Sequence, residues 1–340
     1  MLLCNHNTDV DPIFLGLATK KQVYFVATEK ILRMGLLSRF VMFFFHPIIH
    51  YKGKMGINSV KEMLSTLKSG QNVAIFPEGN RSFNGLTNDF VLTIGKVAKK
   101  SGATLVTYRL NGAYFTSPRW STTMRRGKLV GTKVNVYSPE MLKSMSDNQI
   151  NDAIRTDIYE DAYFEQTKNP IAYRGKKLAE GLESTLFMCP KCKVIGCMST
   201  KDNEISCQCG FWMTYDEYGY LTDEVGEKHT ITELDRMQRK HLTELCSQDK
   251  KLFHDSIIFE DIDSSHQTIS RKKAELCAYR DRLILDDFEI PFVEISGIAI
   301  QQRNILILHY NDRHVEIFGD IGFSALKYLY LFQESVKNNE

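Results

Sequence analysis

The stretch Leu2-Leu3-Cys4-Asn5-His6-Asn7-Thr8-Asp9-Val10-Asp11-Pro12 decides the fold. Its apolar start reads as the end of a buried strand. Asp11-Pro12 reads as a helix start, with Asp11 at the N-cap and Pro12 in the first turn, where a missing N–H does no harm. A strand running into a helix is the repeating unit of a parallel sheet, because parallel neighbours need a crossover. In such sheets the chemistry gathers beyond the carboxyl ends of the strands. His6 falls on that rim and Asp11 follows in a His-x4-Asp spacing. A carboxylate so placed can hydrogen-bond one imidazole nitrogen and leave the other to take a proton from a hydroxyl. The same spacing also describes a loop histidine ahead of a capped helix.

Working outward, strand and helix signals alternate to about residue 175. Strands are predicted over 23–26, 48–51, 72–76 and 103–110. Helices are predicted over about 28–44, from a capping box at Ser59 and Glu62 to Gly70, over 91–100, and from a second box at Ser146 and Gln149 to about 166. The stretch 34–49 is apolar and aromatic but broken by Arg39, His46 and Pro47, too short to span a bilayer. It suits a surface helix partly embedded in a membrane or a buried core helix.

A second motif, Phe76-Pro77-Glu78-Gly79-Asn80-Arg81-Ser82, follows a buried strand and so shares the rim with His6. Gly79 lets backbone approach a ligand. Arg81 offers a planar fork for phosphate. Glu78 can orient either a substrate hydroxyl or the loop itself.

Together the two motifs are far more specific than either. Residues 2–130 resemble the PlsC-like glycerophosphate/lysophosphatidate acyltransferase family. The resemblance implies that His6 is the catalytic base and Asp11 its partner. It places Glu78, Gly79, Asn80 and Arg81 in the acceptor-binding block, with Lys52 standing where the family has an Arg. Asn80 stands where the family usually has Thr, and Thr107 where it usually has Pro. Family members also carry a segment before the first strand, whose last residues open this sequence. Implied co-substrates are an acyl-CoA or acyl carrier protein thioester and a lysophosphatidate or glycerol 3-phosphate acceptor.

The chain has 340 residues and a net charge of +2, so bulk charge gives no reason to expect a nucleic-acid partner. Of its eight cysteines, five lie between 189 and 209. Met1 leads straight into Leu2-Leu3-Cys4, which does not read as a secretory leader. Without one, clustered cysteines point to metal rather than disulfides. Cys189, Cys192, Cys207 and Cys209 form two close pairs that resemble a zinc ribbon. Four thiolates fill tetrahedral Zn²⁺ and make it structural. Cys197 is an alternative ligand. The run Tyr173-Arg174-Gly175-Lys176-Lys177 through Glu183 resembles a bacterial subset of the family with such a ribbon. Basic and aromatic residues at Tyr114-Phe115, Pro118-Arg119-Trp120 and Arg125-Arg126-Gly127-Lys128 suit either lipid headgroups and carrier phosphates or a solvated loop.

A polar helix is predicted over 232–247. From about 274, period-two strands lead to a helix over 324–336, with Leu326, Leu329, Tyr330 and Val336 near one face. This region resembles a pleckstrin-homology-like fold. The expected fold class is therefore α/β: a mainly parallel sheet flanked by helices (1–175), then a zinc ribbon (186–222), then a helix and a small β-rich domain with a terminal helix (223–340). The expected protein is a membrane-associated acyltransferase of phospholipid synthesis, peripheral on the cytoplasmic face of the cell membrane and touching anionic phospholipid. The rival reading is a non-catalytic lipid or membrane adaptor built on the same fold.

Overall fold

The computed structural model describes residues 1–28, 39, 42–43, 46–50, 56–90, 92–247, 250–263, 267–311, 313–319 and 322–337. The chain divides into two compact units, Met1–Pro118 with Gly127–Ile171, and Arg119–Arg126 with Ala172–Glu340.

The first unit is built on six strands: β1 (Leu2–Cys4), β2 (Val23–Thr28), β3 (Ile48–His50), β4 (Asn72–Ile75), β5 (Leu105–Asn111) and β6 (Val130–Tyr137). Their order is β3-β2-β4-β1-β5-β6. The first five in that order run parallel, and β6 is antiparallel to β5. β1 lies inside the sheet and is buried on both faces, so its residues are apolar without alternation. Leu3 faces a core with Ile75, Val97 and Ile154. Leu2 and Cys4 face another with Leu15, Ala74 and Leu110. The first core is closed by α2 (Ile57–Lys68), α3 (Thr93–Ser101), α5 (Pro139–Ser144) and α6 (Asp147–Ile158). The second takes Leu15 from α1 (Asp11–Thr19) and Ala113 from the short α4 (Ala113–Thr116). β6 places β-branched residues at alternate positions, Val130, Thr132, Val134 and Val136, although most of the strand is exposed, and it lies outside the strands predicted from sequence.

Several local expectations change. Asp11 is not an N-cap: Val10 holds that position, and Asp11 is already helical with its side chain turned back. α2 starts at Ile57, so Ser59 lies inside it and donates to the Gly56 carbonyl rather than capping. The capping box at Ser146 and Gln149 is present, but α6 stops at Ile158 instead of running to 166. Asp161 then caps a separate α7 (Ala162–Lys168). Thr107, in the place of the expected Pro, donates to the buried Asp157 carboxylate (2.8 Å), which Asn135 and Tyr137 also reach, tying α6 to β5 and β6. Most of the helix predicted over 28–44, together with Tyr51, Lys52 and Val91, lies outside the described residues.

In the second unit, β7 (Met198–Lys201), β8 (Glu204–Cys207), β9 (Trp212–Tyr215), β10 (Leu221–Asp223) and β11 (Lys228–His229) form an antiparallel sheet in reverse chain order. Thr230 and Glu233 then form a capping box on α8 (Ile231–Leu245). A second antiparallel sheet holds β12 (Phe253–Ile262), β13 (Thr268–Ala278), β14 (Arg282–Leu285), β15 (Phe288–Pro291), β16 (Ile295–Gln301), β17 (Ile305–Tyr310) and β18 (Arg313–Gly319). Its order is β15-β14-β13-β12-β18-β17-β16. Its central strand β12 lies outside the predicted strands, because Asp255, Glu260 and Asp261 interrupt its alternation.

The closing helix α9 (Ala325–Lys337) buries Leu326 and Tyr330 as expected, but Val336 is 39% exposed and Lys327 is buried in its stead. An ion pair with Asp255 (2.7 Å) makes that lysine tolerable. Tyr114, Phe115, Arg119, Trp120 and Arg125 are also buried, whereas Arg126 and Lys128 are exposed. Arg119 donates to the Ile300 and Gln302 carbonyls. The Arg125 guanidinium lies over both the Trp120 and Tyr215 rings, 4.9 Å from each centroid. No helix among the described residues is long and apolar enough to cross a membrane.

Candidate active site

The loop after β1 carries His6, and its geometry is set by Asp11. The Asp11 side chain is fully buried. Its Oδ2 lies 3.0 Å from His6 Nδ1 and accepts from the Asn7 and Thr8 backbone N–H groups at 2.6 and 2.8 Å. Its Oδ1 accepts from the Thr8 hydroxyl at 2.6 Å. With both oxygens acting as acceptors, Nδ1 is the ring nitrogen that carries hydrogen, and Nε2 keeps the lone pair. The ring stacks on Phe76 (centroids 4.5 Å apart, planes 25°) and stays 21% exposed.

The second motif grips the same loop through the backbone of His6. The His6 N–H donates to Glu78 Oε1 (2.7 Å), and its carbonyl accepts from Ser82 N–H (3.0 Å). Glu78 Oε2 accepts from Asn88 N–H (2.6 Å). Both Glu78 oxygens are thus engaged by backbone N–H groups, one from the His6 loop and one from Asn88. Gly79 is exposed at φ +64°, the left-handed region, and a Cβ there would meet nothing within 4 Å. Glycine is needed for the backbone angle rather than for space. Asn80 accepts a hydrogen bond on its carbonyl from Asn88. Arg81 is 12% exposed, with Nη1 3.3 Å from Asp9 Oδ2. Burial lowers its affinity for its proton, and the Asp9 and Asp11 carboxylates offset part of that effect. Lys52 lies outside the described residues.

Glu160 is the residue that sequence reasoning missed. It sits in the break between α6 and α7 and points into the site. Its Oε2 accepts from the Asn5 and Asn7 side-chain amides (2.9 and 2.6 Å), and its Oε1 from Gly112 N–H (3.1 Å). Asn5 also bonds both backbone groups of Leu110 on β5. The His6 loop is therefore tied to β5 on one side and to the Glu78 loop on the other. The readable signal was Asp161, a second N-cap inside the predicted helix.

Glu78 and Glu160 are both fully enclosed. Burial pushes each up to about 8, their hydrogen-bond donors pull the other way, and Asp11 nearby adds repulsion to both.

In the second unit, Cys189, Cys192, Cys207 and Cys209 bring their sulfurs within 4.8 Å of one another. Cys189 and Cys209 are 3.8 Å apart, and Cys192 and Cys207 are 3.7 Å apart. A tetrahedron with arms of about 2.3 Å has edges of about 3.8 Å, so four thiolates fit around one metal ion. These separations are far longer than a disulfide bond of about 2.05 Å. Lys193 N–H returns to the Cys189 carbonyl and Gly210 N–H to the Cys207 carbonyl, closing a tight turn at each pair. Gly210, at φ +89°, makes the short Cys-x-Cys turn possible. A Val194 N–H lowers Cys192 to about 7, while burial pushes Cys189 and Cys207 up to about 12. A cation among the sulfurs would relieve that burial penalty. Cys197 lies outside the four, donating to the Val194 carbonyl, 3.3 Å from the Cys207 sulfur.

Residues 1–111 match the family model described as Acyltransferase. That span holds His6, Asp11 and the whole Glu78–Ser82 block. Among solved structures, the chain is similar to the 1-acyl-sn-glycerophosphate acyltransferase PlsC from Thermotoga maritima. The two are 21% identical with a TM-score of 0.42, over 49% of this chain and 66% of that one, just under two thirds of its length. The N-terminal PH domain of human ARAP2 is similar at 9% identity and a TM-score of 0.22, over 26% of this chain and 81% of that one. Scores this low carry no argument about fold or chemistry. No curated protein matches the chain by sequence.

The raised carboxyls set a pH dependence. Below the unfolded value near 4.5 both states bind the proton, and the burial penalty is absent. As pH rises from about 4.5 through about 8, the unfolded chain ionises first, and stability falls by up to about 1.4 kcal/mol per pH unit and group. Glu160→Gln removes one ionisation. Thermal unfolding between pH 5 and 8.5 should show a lower midpoint for this variant at pH 5, where donors to residue 160 are lost. Its further decline toward pH 8.5 should be smaller than in the wild type.

Proposed function

We propose that the first unit transfers a fatty acyl group from an acyl-CoA or acyl carrier protein thioester to a hydroxyl of lysophosphatidate or glycerol 3-phosphate, at a membrane surface bearing anionic phospholipid. The observation that supports this most is the His6 ring held by Asp11 with Nε2 left as a proton acceptor. In the proposed reaction the acceptor O–H gives its proton to His6 Nε2 as its oxygen attacks the thioester carbonyl. The tetrahedral intermediate collapses with cleavage of the C–S bond. The imidazolium then returns the proton to the departing thiolate, and the products are an ester and a free thiol. Asp11 stabilises the imidazolium between these steps, as the carboxylate of a hydrolase triad does. Because the thioester is already activated, no acyl-enzyme is required.

Arg81 would hold the acceptor phosphate and so bring the hydroxyl to His6, with Lys52 as a second cation. Gly79 and Asn80 would line the path of the acceptor, and Glu78 would keep the loop in register. The four cysteines would hold a structural Zn²⁺. With four protein ligands the ion has no open position, and it contributes folding energy rather than chemistry.

Two measurements test this reading. His6→Ala should reduce acyl transfer by about 10²–10⁴-fold with thermal unfolding little changed, because the ring is partly exposed and its loss opens no deep cavity. Near-wild-type turnover in that variant would remove the assignment. Metal analysis should find one zinc per chain, retained in Cys197→Ser and lost in Cys207→Ser. Loss of zinc in Cys197→Ser would move the ligand set.

A further inference from the structure

Asp9 belongs to the loop that carries His6 and Asp11, but its environment is the reverse of theirs. Asp11 is fully buried, whereas the Asp9 side chain is 84% exposed. Among the described residues it pairs with Arg81 (3.3 Å), whose own side chain is 12% exposed. A buried guanidinium therefore presents Nη1 to a carboxylate that remains in water. Such a pair is weak, because the exposed partner is well solvated and free to swing. It is also chemically informative: a carboxylate beside a guanidinium occupies a direction that a phosphate oxygen can use.

From this geometry we propose that Asp9 is a built-in competitor for Arg81. It occupies the guanidinium when the acceptor is absent and gives way to the acceptor phosphate, thereby setting acceptor affinity. The inference rests on the reading of Arg81 as the acceptor anchor. Being part of the same chain, Asp9 is always present at a high effective concentration, so acceptor binding must first displace it. The same exchange in reverse lets Asp9 recapture Arg81 as the acylated product leaves. Asp9 makes no contact with the His6 ring or with Asp11 among the described hydrogen bonds and ion pairs, so it can act on affinity without disturbing the base.

The sign of the effect separates this role from a structural one. A residue that merely supports the loop weakens acceptor binding when removed, whereas a competitor strengthens it. Asp9→Asn keeps the size of the side chain and removes its charge. With glycerol 3-phosphate or lysophosphatidate as acceptor, Asp9→Asn should lower acceptor KM by up to about fivefold, the range of an exposed ion pair. The KM for the acyl thioester should stay unchanged, and Asp9→Glu should stay near wild type. In an Arg81→Ala background the Asp9→Asn effect should vanish, since the two changes act on one interaction. An acceptor KM that is unchanged or raised in Asp9→Asn overturns the proposal, as does an effect of the same size without Arg81. If the wild type transfers no acyl group at all, the reading of the site fails instead, which is a distinguishable result.

Discussion

The candidate site depends on one buried carboxylate. Asp11 gathers the His6 ring, two consecutive backbone N–H groups and a hydroxyl, and every one of these donors comes from the five residues just before it. The loop therefore folds around the carboxylate, and the helix behind it supplies the anchor. An N-cap would have spent the same side chain on α1's own first turn. Turning it backward orients the imidazole, and the packing of Leu15 beneath the sheet holds the helix that carries it. Glu78 and Ser82 then fix the backbone of His6 from the neighbouring strand end. The result is an imidazole held at both backbone and ring, the preorganisation that the proposed proton transfer needs.

That arrangement concentrates acid. Asp11, Glu78 and Glu160 are buried close enough that each of the two glutamates feels repulsion from Asp11. Their hydrogen-bond partners are mainly backbone N–H groups and side-chain amides rather than cations. Arg81, whose side chain is 12% exposed, meets the exposed Asp9 carboxylate beside this cluster. The raised glutamates cost the unit stability as pH rises toward neutral, while their hydrogen bonds hold the His6 loop in place. The four-cysteine cluster follows a different logic, in which buried thiols gain a common partner when a cation binds.

Much of this was legible in the sequence because the carriers of chemistry sit at strand ends. β1 and β4 are largely buried runs, and the residues after parallel strands lie on one rim, which joins His6 to Glu78–Ser82 in the sequence itself. The cysteine pairs were equally plain from spacing. Other features were hidden for physical reasons. From sequence Asp11 reads as a cap, the usual use of a helix-start aspartate, whereas its oxygens are drawn to the residues before it. Glu160 was lost inside an overlong helix, since its local sequence is helix-compatible and only tertiary donors pull it out. Arg119 and Arg125 bury their charge against carbonyls and rings, partners that no local pattern reveals.

The most direct test of the account is the protonation of the His6 ring itself. Nitrogen-15 NMR of the imidazole, at a pH where the ring is neutral, reports which nitrogen carries hydrogen. The account predicts hydrogen on Nδ1 and a bare Nε2 in the wild type, with that preference weakened in Asp11→Asn. A wild-type ring with hydrogen on Nε2 would contradict it, because the nitrogen assigned to take the proton would already hold one.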